Sequence, residues 1–341
     1  METPATLDAF RGLFSESPDP RQWPHVSTGL TYMRAIPELA GLLGCEATEE
    51  AVFERRRSSD PDEYAATLLR ATGTDWLLID TGFPTPGEGL GWDKMGRLAG
   101  CRAAPLLRIE ALAEEGMARG LDLDALREFV RTEVGAAREG GHVALKTVAA
   151  YRSGLDVGPP DAARAAEALA AGAPRLAAKP LVDLLLHDAL EANVAEPLPV
   201  QVHCGFGDSD LMLPRADPSH LKLLIERFAS TPFVLLHNYP YVREAGWLAH
   251  VYANVFFDVS LTIPHVSRPA EMVREALELA PTSKLLYASD ASRAPELYPL
   301  AALWWREGLA EVLGEALPAG AAEAAGRRVL RENALALYRL G

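Results

Sequence analysis

The sequence predicts an α/β fold, a (β/α)8 barrel of the TIM type preceded by an N-terminal helical segment, and three observations predict it. Short apolar runs bounded by turn residues alternate with helical stretches between residues 76 and 290, the pattern of a parallel sheet joined by right-handed crossovers. Three of those runs, Leu198-Pro-Val-Gln-Val-His203, Pro232-Phe-Val-Leu-Leu-His237 and Lys284-Leu-Leu-Tyr-Ala-Ser-Asp290, close on side chains that handle metals or protons. Strand tips of that kind are where barrel enzymes keep their active sites. The competing doubly wound sheet is marked by a G-x-G-x-x-G loop opening its first helix, and the chain contains neither that loop nor a P-loop.

The elements follow in order. Residues 7–14 form a short amphipathic helix, 15–24 a Ser/Pro-rich turn, and 31–43 and 48–71 two helices with apolar residues at helical spacing. Residues 76–80 are strand-like and run into the Gly/Pro-rich loop 81–87. A strand at 103–108 is followed by helices at 109–120 and 123–140, then by a strand at 142–146. Helices at 161–171 and 180–192 lead to the strand ending at His203, and a helix at 219–230 leads to the strand ending at His237. Helix 244–252, strand 254–258, helix 270–280 and strand 284–290 complete the alternation, and 297–340 is helical. Seven strands are expected where a closed barrel has eight. With no linker or repeat in the pattern, the whole of 1–341 is read as one domain, 1–71 its helical segment and 72–341 its barrel.

Composition removes several function classes. The formal net charge is −14 and no basic stripe exists, which speaks against nucleic acid and against an anionic membrane surface. No apolar run reaches membrane-spanning length, and the first residues lack the basic and apolar parts of a signal peptide. Cys45, Cys101 and Cys204 are far apart and odd in number, so no disulfide framework or zinc knuckle is expected and a cytoplasmic setting fits. Cys204 directly follows His203, and strand alternation turns it to the opposite face, as a small buried residue.

Four segments carry a family resemblance: Gln201-Val-His-Cys-Gly-Phe-Gly-Asp-Ser-Asp210, Leu235-Leu-His-Asn-Tyr-Pro-Tyr-Val-Arg-Glu-Ala-Gly246, Asn254-Val-Phe-Phe-Asp258 and Leu286-Tyr-Ala-Ser-Asp290. They resemble successive strand ends of the amidohydrolase superfamily. The likeness is to the amidohydrolase-related branch, whose domain is also found fused to glutamine-synthetase-like domains. Leu145-Lys-Thr-Val-Ala-Ala-Tyr-Arg-Ser-Gly-Leu155 is similar to that branch too. The resemblance implies a barrel of the metal-dependent hydrolase kind and assigns roles. His203 matches a metal ligand. His237 matches a residue that binds a second metal or orients water and substrate. Asp290 matches the carboxylate that touches the metal and takes the proton of the attacking water. Neutral imidazole and carboxylate suit Zn²⁺, with Mn²⁺ and Fe²⁺ as alternatives.

In that superfamily the first strand carries a His-x-His pair, and residues 1–341 contain none; the first histidine is His25, in a Pro-rich turn. Either the chain starts short of that strand, or the strand and half of the metal site are gone. The barrel would then have an exposed edge.

Lys146 closes the strand at 142–146. It is expected to pair with substrate or with Asp80, and in some superfamily members a lysine there is carbamylated. Arg152 could hold a substrate carboxylate bidentately or bridge surface loops. Arg243 is a weaker version of the same idea, and Asp80 is a more plausible pocket residue than Asp258. Among the remaining histidines, His187 and His250, within helical patterns, are expected at surfaces or interfaces, and His265 could line the pocket.

The expected function is metal-dependent hydrolysis of a C–N bond in a small, carboxylate-bearing molecule, with Asp290 as base and later as acid, His237 polarising or positioning the substrate and Arg152 holding its carboxylate. A metal-dependent decarboxylase is the runner-up, and a barrel without catalysis, kept as a binder or partner subunit, is the third reading. The small-molecule substrate is the partner expected, and a homo-oligomer is left open.

Overall fold

A computed structural model describes residues 4–83 and 89–341; part of the expected loop 81–87 therefore lies outside the described residues. Six parallel strands form one sheet: β1 (Trp76–Asp80), β2 (Arg102–Arg108), β3 (Ala144–Thr147), β4 (Val200–Cys204), β5 (Phe233–His237) and β6 (Val255–Phe257). They lie in the order β1-β2-β3-β4-β5-β6. Sequence neighbours are neighbours in space throughout, which is barrel winding; a doubly wound sheet reverses its order at a switch point.

The seventh expected strand, 284–290, is a correction. It makes a single parallel bridge, Leu285 to Phe257, in which Phe257 N–H donates to the Lys284 carbonyl at 3.0 Å and Leu286 N–H to the Phe257 carbonyl at 2.9 Å. On the edge away from β6, Tyr287 N–H goes to the Val329 carbonyl at 3.2 Å. Val329 lies in a π-helical turn, Arg328–Glu332, in the C-terminal region.

The C-terminal region also covers the gap between that segment and β1. Asn333 Nδ2 donates to the carbonyls of Thr282 and Leu285 at 2.7 and 2.8 Å, and Arg331 pairs with Asp75 just before β1. Tyr338 and Leu340 join Leu106, Ala144, Val234, Leu236 and Leu286 in an inner core, with Trp76, Leu78 and Phe256 against it. The alternate residues, among them Val200, Val202, Cys204, Phe233, Leu235 and Phe257, face the helices in the larger outer core. β3, β4 and β5 are thus buried on both faces, as parallel strands are, while β1 at the edge is half-buried along its length.

Helix boundaries differ where proline or local hydrogen bonding intervenes. The expected helix 48–71 is two, Glu49–Ser58 and Pro61–Ala71. Pro61 cannot donate inside a helix but suits its first turn, and the Asp60 carboxylate caps the second helix by accepting from Asp62 and Glu63. The expected helix 297–340 breaks before Pro318 into Leu297–Ala316 and Ala319–Arg327, and after the π turn ends as Asn333–Leu337. A helix between β1 and β2, Trp92–Ala99, was not expected. No described helix is long and apolar enough to cross a membrane.

Candidate active site

The inner face of each strand is largely apolar until its last inward position, and there it turns polar. Trp76 and Leu78 precede Asp80, Leu106 precedes Arg108, Ala144 precedes Lys146, and Phe256 precedes Asp258. On β4 the inward pair is Gln201 and His203, both buried. The period-2 direction of strand side chains therefore collects one polar ring at the C-terminal mouth.

β5 breaks the alternation. Val234 and Leu236 face the inner core, so His237 should face outward beside its register partner Cys204. Its φ of 68° places it in the left-handed region and turns the ring inward, to a centroid distance of 4.6 Å from His203. A non-glycine residue there costs about 1–2 kcal/mol. The surroundings hold it: His237 N–H donates to Asp258 Oδ1 at 2.8 Å, and the amide of Asn238 donates to the carbonyls of Leu235 and Asp258, each at 2.9 Å.

The histidine tautomer follows from its partners. Asp258 Oδ1 accepts from Ser260 N–H at 3.0 Å and from Ser260 Oγ at 2.7 Å. Burial pushes the Asp258 carboxyl up to about 6, so above that pH it is an acceptor only. The Ser260 hydroxyl then spends its proton on Asp258 and accepts from His237 Nδ1, 2.7 Å away. His237 Nε2 is left with a lone pair, 3.6 Å from Asp290 Oδ2. We expect long-range ¹H–¹⁵N spectra to show His237 protonated at Nδ1, and Ser260→Ala to give a mixture of tautomers; an Nε2–H tautomer in the unsubstituted protein would refute the relay.

His203 Nε2 and His237 Nε2 are both buried without a hydrogen-bond partner among the described residues. Burial is the main reason that both imidazoles sit well below their ordinary pKa; the Lys146 charge adds to it in both, and His237 to it in His203. Both are therefore neutral near pH 7. Asp290 is pushed up, chiefly by burial, with Lys146 pulling it back and Asp80 adding to the rise. Its side chain keeps 36% of its accessible surface although protein surrounds it, the condition of a group on the floor of an open mouth. Tyr151 packs on His203 with ring centroids 4.5 Å apart.

The remaining expected residues divide. Lys146 is buried at 6% exposure and makes no ion pair with a described residue. It does not pair with Asp80, which forms a bidentate salt bridge with Arg108 instead. Arg152 and Arg243 are not brought into contact with His203, His237 and Asp290. The Arg152 guanidinium pairs with Glu114 at 3.0 Å on the helix Ile109–Ala118. Arg243 is 72% exposed and pairs with Glu275 at 2.8 Å on the helix Pro269–Leu277. Asp258, set below Asp80 in the sequence reading, turns out to hold His237. His187, expected at a surface or an interface, is buried within the chain, its Nε2 3.0 Å from the Gly158 carbonyl. Cys204 faces outward and fully buried, and burial holds its thiol well above the usual range.

Arg108 was missed although it ends an expected strand, and the tip rule applied to His203 would have found it. Ser260 carried no such signal.

A divalent ion can be tested against these donors. In kind they fit: two neutral imidazoles with unpartnered nitrogens and a carboxylate beside one of them. In place, among the described residues, no three His, Cys, Asp or Glu side chains are gathered closely enough to hold an ion.

Comparison with known proteins gives three results. A family model described as Amidohydrolase matches residues 86–340. The chain is 33% identical over 321 residues to "Protein fluG" of Emericella nidulans, covering 83% of this chain but only 37% of that longer protein. Among solved structures, a Lactobacillus casei ATCC 334 protein provisionally named a metal-dependent hydrolase is similar at TM-score 0.89 and 30% identity, over 98% of this chain and 91% of that one. Uronate isomerase of Thermotoga maritima shares the fold at TM-score 0.66 and 16% identity, over 97% and 82%.

Proposed function

The chain belongs to the amidohydrolase family, and from that premise we propose that it hydrolyses a C–N bond, amide or related, in a small molecule bearing a carboxylate. The observation that carries this reading is the pair of unpartnered, neutral Nε2 atoms of His203 and His237, the second of them 3.6 Å from the Asp290 carboxylate. His203, His237 and Asp290 are the donors that would have to draw together on a divalent ion, Zn²⁺ before Mn²⁺ or Fe²⁺, since as they stand they are not gathered closely enough to hold one. Such an ion, when bound, lowers the pKa of water towards neutrality and polarises the scissile carbonyl.

The protein's own residues do the rest. Asp290 takes the proton of the attacking water; its raised pKa makes it a better base than an exposed carboxylate. His237 is kept in one tautomer by Ser260, so its Nε2 presents a lone pair to the reacting group. Lys146, a buried cation with no carboxylate partner among the described residues, is the counter-charge for a substrate carboxylate. It takes over the part that Arg152 and Arg243 were expected to play. Three free cysteines fit our placement of this activity in the cytoplasm.

The test is hydrolysis itself: released amine supports the reading, and released CO₂ without amine would replace it with the decarboxylase. The non-catalytic reading draws on the loose spacing of the donors. Metal analysis separates the two. The chain of 341 residues, lacking a His-x-His pair, is expected to hold less than one Zn²⁺ per molecule after gel filtration. With Zn²⁺ in excess it should bind, and His203→Ala should abolish that binding. Unchanged Zn²⁺ binding in His203→Ala would remove the metal site.

A further inference from the structure

The loop after β3 leans over the tip of β4. Tyr151 ends a 3₁₀ turn, Ala149–Tyr151, and its ring lies against that of His203, centroids 4.5 Å apart. The hydroxyl reaches past the imidazole to the loop after β4. A Cβ added at Gly207 would fall on the Tyr151 hydroxyl and stand 3.3 Å from His203 Nε2. The hydroxyl and that Nε2 are therefore near neighbours, around a space that only glycine leaves open. Asp208 N–H donates to the phenol oxygen, which uses a lone pair and leaves the phenol's own proton for another acceptor. A phenol of pKa about 10 is a donor near pH 7, and burial pushes Tyr151 higher.

Among the side chains already placed at the mouth, every other one is committed. His237 Nε2 carries a lone pair, because Nδ1 donates to Ser260. His203 Nε2 enters the hydrolase reading as a lone pair too. Asp290 accepts the water proton, Arg108 is tied to Asp80, and Lys146 is reserved for the substrate carboxylate. The oxygen of the scissile carbonyl becomes negative as water adds, and a hydrogen-bond donor already in place stabilises that charge most. We propose that the Tyr151 hydroxyl is this donor: it hydrogen-bonds the carbonyl oxygen of the substrate and holds it through the tetrahedral intermediate. This deepens the hydrolase reading above and rests on it.

The step balances without moving the phenol's proton. The water oxygen bonds to the acyl carbon, Asp290 takes one water proton, and the carbonyl π pair moves onto the oxygen held by Tyr151. That pair then returns, the C–N bond breaks, and Asp290 hands its proton to the leaving nitrogen. Asp290 thus serves as base and then as acid, and Tyr151 as neither. A tyrosine that only packs on His203 would need its ring and not its hydroxyl.

Two measurements on the full chain separate these roles. Tyr151→Phe keeps the ring contact with His203 and removes the hydroxyl alone. On the C–N substrate turned over fastest with Zn²⁺ in excess, it should lower kcat by about 100-fold and leave KM within about threefold. An unchanged kcat, or a loss confined to KM, would overturn the donor and leave the hydrolase reading standing. The second measurement needs neither turnover nor metal. 3-Phosphonopropionate, with tetrahedral anionic oxygens, is compared with succinamate, which keeps a planar amide, each titrated into protein without added metal. Tyr151→Phe should weaken the phosphonate by about tenfold or more and succinamate by about twofold or less, since a hydrogen bond to a charged acceptor is the stronger. Equal losses, or no binding of the phosphonate by the unsubstituted protein, would overturn the donor. If the unsubstituted protein cleaves no C–N bond, the hydrolase reading falls, and the phosphonate comparison then decides the hydroxyl by itself.

Discussion

Asp290→Asn is expected to lower kcat/KM by about 10³-fold on any C–N substrate the unsubstituted protein turns over, within the range of about 10²–10⁴ that a general base contributes. The variant is a clean probe because asparagine matches aspartate in shape. Asp290 sits at φ 50°, in the left-handed region that asparagine also tolerates, so the backbone has no reason to move. What disappears is the negative charge facing His237 Nε2 at 3.6 Å and the lone pair that accepts the water proton. The Asp290 charge also sits in the field of Lys146, so the variant leaves that buried cation with less compensation and should lose some thermal stability as well. Turnover within tenfold of the unsubstituted protein, with a normal circular-dichroism spectrum, would exclude Asp290 as the base.

The second large effect is on stability. Gly205→Ala should destabilise the fold by about 3 kcal/mol or more. Gly205 has φ 72°, and a Cβ there would stand 2.5 Å from the Tyr239 carbonyl oxygen and 2.7 Å from the Asn238 carbonyl carbon. Those are backbone atoms that cannot swing away. The left-handed φ contributes about 1–2 kcal/mol and the overlap about 1–3 kcal/mol. Hydrogen bonds stitch the two loops together here: Phe206 N–H donates to the Tyr239 carbonyl at 2.7 Å and Asn238 N–H to the Cys204 carbonyl at 3.2 Å. Forcing them apart would also separate His203 from His237. Urea unfolding measures the first effect, and the His203 and His237 ring resonances report the second. A midpoint equal to that of the unsubstituted protein would show that the loops yield freely.

Much of the site was legible in the sequence because a strand's period of two is a local property. Once residues 198–203 are read as a strand packed on both faces, His203 must share a face with Gln201 and oppose Cys204, and it does. The same reasoning placed Asp80 and Lys146 at the mouth. It failed at the seventh strand. The run 284–290 has the composition of a strand, but the Tyr287 N–H is taken by Val329, more than forty residues away in the chain, and no local pattern records that choice. It left Arg152 and Arg243 open between substrate and bridging roles, because their partners Glu114 and Glu275 lie on helices brought near only by the folding of the barrel.

The sequence by itself determined the parallel α/β winding, the polar tips and the family, since each depends on residue type at short spacing along one element. Tertiary structure decided which tips become a site. Alternation alone would have sent His237 outward; its left-handed backbone is held by Asp258 and Asn238 and turns it to face His203. Glu16 and His265, 249 positions apart in the chain, meet at 3.6 Å only because the N-terminal segment packs against the loop after β6, where Thr31 Oγ1 also donates to the His265 carbonyl. Contacts between distant segments are set by what the rest of the chain leaves buried and unpaired, and that is a property of the packed molecule rather than of any stretch of it.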